Sequence, residues 1–596
     1  MRKLIGPLAI SSALGLTASL SLGATPASLT VGATFAGGAY GANGAAGSAN
    51  YVQVQDYPPD MAGAVGGTAG ANYAMQIING YVGMWSLTTT GTTTTPSLVS
   101  QMTDSSFWTN AGITIGASNV PFDPRLTYDS NSQRWFATED SFSASGYAND
   151  ILLAVSKTSN PTQGWNGFSL PGSLPNAGGG YTGPGTWQGT TYGGGTGTWN
   201  GTVNTTGAWQ GTVGASPAHG TGAKAPGAKA ASGSGYFADF PTLGVSPGYV
   251  TIGANLYPAG SGNDVATAGA GITIISIPKA ALLTTTPTTT GIVPSYDLSP
   301  TTYGFTPNAV NDMSTGTTTP GTAYVLGNGG YSGVQQTTIT TLNNAPTVSA
   351  STYTTFNEVG QTVQQLGQPG TAHTIDGGDS RLSSALNLVS VNGTPLIWGV
   401  QTIGIAGPNN TVVNGLRVFA VAAGNNKPVV DQIFTDTANP TESLAFGSLA
   451  VNTSGQIVLS FNESGTANGQ FVAIRAVAGT YNPATGTITF GTPQTLKAST
   501  TDYYLLDSTD NLNRWGDYSV TTMDPNNAGV FYSFAEFATG AASWGTQVSQ
   551  LTFVPGTASS ASPSFAIREV PEPVSVALLC AGGLPLLLRR RRTVIR

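Results

Sequence analysis

Residues 514–537 read RWGDYSVTTMDPNNAGVFYSFAEF. The stretch enters through a charged corner, turns again at Asp524, Pro525, Asn526 and Asn527, and leaves through the aromatic run Val530 to Phe537. β-Branched and aromatic residues bounded by Asp, Pro, Asn and Gly predict a hairpin rather than a helix. The plan recurs at 123–138 (DPRLTYDSNSQRWFAT), 237–257 (FADFPTLGVSPGYVTIGANLY) and 446–464 (FGSLAVNTSGQIVLSFNES). Each copy has a Pro, Gly or Asp corner, a polar turn and a second apolar strand. A single hairpin cannot bury both faces, so one plan repeated along a chain predicts radial repetition. The expected fold is all-β, a β-propeller with these stretches as inner hairpins of successive blades, seven blades being favoured over six or eight.

These stretches resemble a group of secreted bacterial β-propellers whose blades read approximately DP-x-x-x-YD-x-x-x-x-RWF, DYP-x-LGV and RWGDYS-x-x-x-DP. The matching residues are Asp123, Pro124, Tyr128, Asp129, Arg134, Trp135 and Phe136, then Phe240, Pro241, Leu243 and Gly244, then Arg514, Trp515, Gly516, Asp517, Tyr518, Asp524 and Pro525. PPDMAGAVGG from Pro58 and GGDSRLSSA from Gly377 match more weakly. The resemblance runs approximately from Asp56 to Phe553 and implies a fold more than a function. It implies a structural, blade-holding role for Asp123, Asp129, Arg134, Trp135, Arg514, Trp515, Gly516, Asp517 and Tyr518.

Composition agrees with a turn-rich folded body. With 81 Gly, 36 Pro and 8% charged residues but 40% hydrophobic ones, the 596-residue chain departs from an ordinary cytosolic protein and can still build a core. Its one cysteine, Cys580, lies in an apolar run near the C-terminus, so the body has neither an intrachain disulfide nor a cysteine metal cluster. Most of the 27 acidic residues lie in the body, whereas Arg2, Lys3, Arg589, Arg590, Arg591, Arg592 and Arg596 draw off part of the 20 basic ones. An acidic body without basic clusters argues against nucleic acid as a partner.

The two ends read as addresses. Residues 1–24 have Arg2 and Lys3, an apolar stretch, then small residues, the order of a secretory signal peptide. Residues 25–50 read as a flexible leader, 51–556 as the propeller with an insertion at 172–235, and 557–569 as a linker. At 570–596 the order is Val570, Pro571, Glu572, Pro573, an apolar run from Val574 to Leu588, then Arg589, Arg590, Arg591 and Arg592. That run spans about 22 Å as a helix, short of the roughly 20 residues of a full membrane span. The arginines would stay on the cytoplasmic side and place the body outside. This segment resembles the PEP-CTERM sorting signal, which implies processing by a membrane enzyme, exosortase, in bacteria making extracellular polymeric substance. Val574 replaces the Ser or Thr that often follows Pro-Glu-Pro there, and Pro585 interrupts the run. The implied partners are an exosortase, the membrane through this segment before processing, and matrix polysaccharide.

Within the insertion, Trp187, Trp199 and Trp209 each precede an amide and Gly-Thr. They form a candidate glycan-binding set, or a small strand ladder, or a loop elaboration on a blade edge.

No catalytic set declares itself. The carboxylates Glu139 and Asp140, Asp376 and Asp379, and Asp507, Asp510 and Asp517 read as corner residues capping turns. A sialidase-like centre would need three arginines, and Arg125, Arg134, Arg381, Arg417, Arg475, Arg514 and Arg568 are the supply, with Arg134 and Arg514 read as structural beside their tryptophans. The only histidines are His219 and His373, too few for a Ser-His-Asp machine or a histidine zinc site. Calcium is the one cofactor left open: DSNSQRW, FNESGTANGQ and DSTDNLNRWGD are oxygen-rich turns, though none has EF-hand spacing. The expectation is therefore an exported, non-catalytic cell-surface or extracellular-matrix protein that binds matrix polysaccharide, with no catalytic or metal residues and no resident cofactor. The alternative is a secreted glycan-active hydrolase or lyase on the same fold. The propeller axis discriminates: convergent Arg, Glu and Asp side chains there favour the enzyme, and Ser, Thr and backbone groups favour the scaffold.

Overall fold

The computed structural model describes residues 25–48, 51–115, 119–143, 149–172, 185–190, 198–203, 209–213, 236–258, 271–289, 292–312, 321–342, 345–349, 351–357, 359–425, 427–507 and 512–557. The leader at 1–24 and the sorting-signal residues Val570, Pro571, Glu572, Pro573, Arg589, Arg590, Arg591 and Arg592 lie outside them. One compact unit, Pro26–Gly556, holds the whole propeller.

Seven antiparallel units follow one another along the chain. Their innermost strands are Ala62–Thr68, Asn119–Asp129, Tyr236–Val245, Phe305–Asp312, Leu386–Val391, Ser443–Val451 and Val520–Asp524, here blades 1 to 7. Each innermost strand lies against those of its two neighbours, and the seventh lies against the first. The ring is closed, with the seven blades favoured by the sequence. In blades 4 and 5 the innermost strands also pair directly, Val310 opposite Leu386 in parallel.

The N-terminal segment completes blade 7. Ser28–Ala39 pairs antiparallel with Ser543–Val554 as the outermost strand of blade 7, from Ser28 opposite Val554 to Ala39 opposite Gly545. The reading of 25–50 as a flexible leader is corrected accordingly. Gly, Ala and Thr look like linker composition, but an edge strand is held by backbone hydrogen bonds that need no side chain. Gly37 shows the fit: a Cβ there would run into the side chains of Gln76 and Thr546.

Four blades share one device that explains the recurring corner. In blades 2, 3, 4 and 6 the innermost strand carries one extra residue against its partner, at Phe122/Arg125, Asp239/Thr242, Phe305/Asn308 and Ala445/Ser448. The bulged residues Asp123, Phe240, Thr306 and Phe446 all have positive φ, between 52° and 58°. Three of them precede a proline and the fourth a glycine. Such a backbone is strained for residues other than glycine, and bulges of this kind re-aim side chains near functional sites. Asparagines latch two of them from the preceding blade: Asp123 N–H donates to Asn79 Oδ1 at 2.9 Å, and Thr306 N–H donates to Asn255 Oδ1 at 2.7 Å.

Between blades the core is largely apolar. Phe136, Leu153 and Val155 of blade 2 pack with Leu243, Ile252 and Ile275 of blade 3. Trp135 and Trp515 are buried, Trp135 Nε1 donating to Ser159 O and Trp515 Nε1 to Asn462 Oδ1. Arg134 donates to the carbonyls of its own turn, Ser132 and Gln133. The Trp515 bond ties the approach to blade 7 to blade 6, whereas the Trp135 and Arg134 bonds stay within blade 2.

In the insertion, Gly185–Thr190, Thr198–Val203 and Trp209–Val213 form a three-stranded antiparallel sheet. Its register sets Trp187 opposite Gly201, Trp199 opposite Gly189 and Val213, and Trp209 opposite Val203. Of the readings offered for this segment, the strand ladder is the one whose backbone is present. Among the described residues no helix is long and apolar enough to cross a membrane.

Candidate active site

Charged side chains gather at one end of the propeller axis, two of them, Asp123 and Asp239, at the bulged corners. Asp60 precedes blade 1, Asp123 and Arg125 enter blade 2, Asp239 enters blade 3, and Arg514, Asp517 and Tyr518 form the corner of blade 7. The segment 359–385, between blades 4 and 5, adds Asp376, Asp379 and Arg381. It crosses the mouth as a narrow hairpin, Leu366 and Ile375 exchanging backbone hydrogen bonds at 2.8 and 2.9 Å. It is tied to blade 6 by Ser464 Oγ donating to Gly367 O, and to the approach to blade 7 by Asp376 N–H donating to Asn513 O.

Arg125 is the hub. Its Nε donates to Pro241 O at 2.8 Å and its Nη1 to Ser383 O at 2.7 Å, so blade 2 holds the entries of blades 3 and 5. The guanidinium lies over the rings of Tyr518 and Phe240, at 3.4 and 4.8 Å from their centroids. Arg381 lies over Phe240 at 5.0 Å, its Nε 2.7 Å from Asp379 Oδ2. Arg514 meets Asp517 at 3.4 Å and Asp376 at 4.0 Å. The Arg514 and Asp517 side chains are 25% and 23% exposed, so a ligand entering the mouth can reach this pair.

Beside them Asp60 and Asp123 are buried and Asp239 is half-buried. Asp60 accepts from Asp517 N–H at 2.8 Å through Oδ1 and from Asn79 Nδ2 at 2.9 Å through Oδ2. With both oxygens engaged on protein, Asp60 positions Asp517 and Asn79 rather than facing a ligand. Burial, and next the charge of Asp517, push the Asp60 carboxyl up to about 7. Burial likewise lifts Asp239 to about 6, with Arg381 pulling against it and Asp517 adding to it. Asp123 is pushed well above the usual carboxylate range by burial and by the charges of Asp60, Asp239, Asp517 and Asp140. Asp140 and Glu536, both buried, are raised well above it too, each by burial first and then by neighbouring aspartates. Carboxyls that hold protons beside an ion-paired carboxylate are the raw material of acid–base chemistry.

The sequence places these residues unevenly. Asp376 and Asp379 do cap turns, accepting from the N–H groups of Gly378 and Arg381, yet they also carry arginines at the mouth. Glu139 and Asp140 are not turn residues: both sit buried within the strand Arg134–Ser143 of blade 2, and Trp108 Nε1 donates to Glu139. Asp123, Arg514, Asp517 and Tyr518, read as blade-holding residues, stand at the mouth. Asp239, Asp60 and Phe240 were missed as site residues; the recurring corner before each inner strand was the available signal. The Asp510 position and the Asp507 side chain lie outside the described residues, as do the side chains of Trp187, Trp199 and Trp209.

Two oxygen-rich turns have protein partners. Asp129 caps its turn through Asn131 and Ser132 and pairs with Lys279 at 2.8 Å, and Glu463 pairs with Arg475 at 3.1 Å. Among the described residues no group of three or more His, Cys, Asp and Glu side chains is gathered to hold a metal ion. A cavity of about 90 Å³ lies along the inner strands, bordered by Val65, Thr127, Asn311, Asn387 and Thr521 and by no charged residue.

No family model matches the chain, and no curated protein matches it. Solved structures do. The α-L-arabinofuranosidase Arb93A of Fusarium graminearum, in complex with an iminosugar inhibitor, is 9% identical over 87% of this chain and 98% of its own, with a TM-score of 0.34. An α-L-arabinanase of Penicillium chrysogenum, complexed with arabinobiose, is 9% identical over 83% of this chain and 94% of its own, at 0.32. The polysaccharide lyase Uly1 is 10% identical over 72% of this chain and 89% of its own, at 0.31. The expectation of a non-catalytic, non-enzyme protein is corrected at this point by the axis itself: Asp123, Asp239 and Asp517 converge there with Arg125, Arg381 and Arg514, the arrangement named above as favouring the enzyme.

Proposed function

We propose that this protein is a glycan-cleaving hydrolase whose active site is the charged end of the propeller axis. The observation that carries the reading is the convergence of Asp123, Asp239 and Asp517 from three blades with Arg125, Arg381 and Arg514. Glycoside hydrolysis needs one carboxyl that keeps its proton for the leaving oxygen and one carboxylate that activates water or attacks the sugar. Asp123, raised by burial and then by the charges of neighbouring aspartates, and Asp239, raised by burial and then by Asp517 against the pull of Arg381, supply the protonated side. Asp517, ion-paired with Arg514 and reachable from solvent, supplies the carboxylate. Arg125 and Arg381, packed on Phe240, fix the floor on which these groups stand. Mass spectrometry of the products from a panel of polysaccharides tests the reaction type. Hydrolysis adds one water per cut; unsaturated products without added water would mean elimination and would overturn it.

We also propose that the enzyme works outside the cell. The support is in the two ends of the sequence: the leader at 1–24, and the PEP-CTERM-like order of Val570, Pro571, Glu572 and Pro573, an apolar run and Arg589, Arg590, Arg591 and Arg592. In this reading an exosortase-type enzyme processes the tail after brief membrane insertion, and extracellular polysaccharide is the substrate. The intact mass of the mature protein from its native cells tests it. A mass lacking the leader and the arginines is expected, and a mass retaining both would contradict it.

A further inference from the structure

Beside the mouth, the imidazole of His373 lies on the ring of Tyr504, centroids 3.8 Å apart and planes within 13°. Both residues stay exposed, Tyr504 at 38%. Stacked on each other and left in water, the two rings present a flat aromatic surface beside the mouth.

The pair is held by a built frame. Gln368 Nε2 donates to His373 O at 3.2 Å and to Tyr503 O at 2.8 Å, while Tyr503 N–H donates back to Gln368 Oε1 at 2.7 Å. Asn513 Nδ2 donates to Thr374 O and to Tyr503 O, at 3.0 and 2.9 Å. One asparagine thus fastens the residue after His373 and the residue before Tyr504. Its own neighbour in the chain is Arg514, which meets Asp517 and Asp376 at the mouth. His373 itself is three residues from Asp376, at most about 11 Å of extended chain.

We propose that His373 and Tyr504 form a sugar-binding subsite, an aromatic platform for a ring of the glycan chain lying beyond the unit held at Asp517. The occupant is a sugar ring because its C–H face matches a flat aromatic surface while its hydroxyls remain in water, and because the platform is continuous with a mouth lined by carboxylates and guanidiniums. This rests on the glycan-cleaving reading of the axis and adds to it where the chain runs on leaving the mouth.

The test is affinity electrophoresis of the full chain carrying Asp517→Asn, so that the polysaccharide in the gel is not consumed, with arabinan, xylan, galactan and alginate as probes. On a probe that retards this parent, adding Tyr504→Ala is expected to weaken binding about tenfold, His373→Ala to weaken it less, and Tyr504→Phe to retain it. Equal retardation of the parent and the Tyr504→Ala and His373→Ala proteins would overturn the subsite alone, and cleavage by the unmutated enzyme would leave the active-site reading standing. A parent that no probe retards would overturn the subsite, and if the unmutated enzyme also cleaves none of them the reading beneath it falls as well.

Discussion

The guanidinium of Arg125, in blade 2, lies 3.4 Å from the centroid of the Tyr518 ring, at the corner of blade 7. The same group donates to the carbonyls of Pro241 and Ser383, so one side chain fastens four separate stretches of chain at the axis. Arg125→Met would keep an unbranched apolar stem and leave both carbonyls unpaired. The expected cost is about 3 kcal/mol in urea unfolding, since buried hydrogen bonds from charged donors are lost. A change below about 0.5 kcal/mol, the usual range of surface substitutions, would show that the hub is not structural.

Stability should fall as pH rises over the weakly acidic range. Every carboxyl shift at the axis is upward: Asp60 to about 7, Asp239 to about 6, and Asp123, Asp140 and Glu536 above the usual range. In the unfolded chain these groups lose their protons near about pH 4, whereas the folded protein keeps them. Between about pH 4 and 7 the native state therefore binds more protons, and the slope of stability against pH is negative. Urea midpoints measured at about pH 5 and pH 8 should be higher at the lower pH, and Asp60→Asn should flatten the difference. A midpoint that climbs with pH would contradict the assignment.

Removal of residues 26–39 should open the ring. The strand Ser28–Ala39 covers the edge of Ser543–Val554, and without it blade 7 ends in an unpaired edge. The truncated protein is expected to unfold earlier on heating and to associate, both visible by light scattering during a thermal ramp. A truncated protein that melts with the full chain would show that closure does not depend on this strand.

Gly516 sits where the chain turns into Asp517. A Cβ there would lie 2.6 Å from Glu536 Oε1, and Glu536 is buried. Gly516→Ala should cost about 1–3 kcal/mol by overpacking. It should also lower activity more than a stability loss explains, because Asp517 moves with it. Unchanged kcat and unchanged urea midpoint would show that the corner tolerates the extra carbon.

The propeller was legible because its blades repeat a local rule. A positive-φ residue followed by Pro or Gly leaves a visible corner in Asp123-Pro124, Phe240-Pro241, Thr306-Pro307 and Phe446-Gly447, and the aromatic strands beyond it carry the β signal. The site was not legible for the same reason. An aspartate at a corner looks like a turn cap, as Asp379 in part is, and nothing local marks Asp123, Asp239 and Asp517 as neighbours. Their meeting is a property of ring closure, which sequence spacing does not express. Arg514 looked structural beside Trp515, yet the two side chains part: the tryptophan goes into the core and the arginine to the mouth. The strand Ser28–Ala39 escaped because backbone pairing leaves little mark in a Gly, Ala and Thr composition.

The most direct measurement is release of reducing ends from polysaccharide by the purified full chain, beside the same protein carrying Asp517→Asn. Cleavage of at least one glycan, with a loss on the order of a hundredfold or more in the variant at an unchanged melting temperature, is the expected result for a carboxylate at the reacting atoms. Cleavage that survives Asp517→Asn unchanged, or no cleavage of any glycan by the unmutated chain, would contradict an active site at the charged end of the axis.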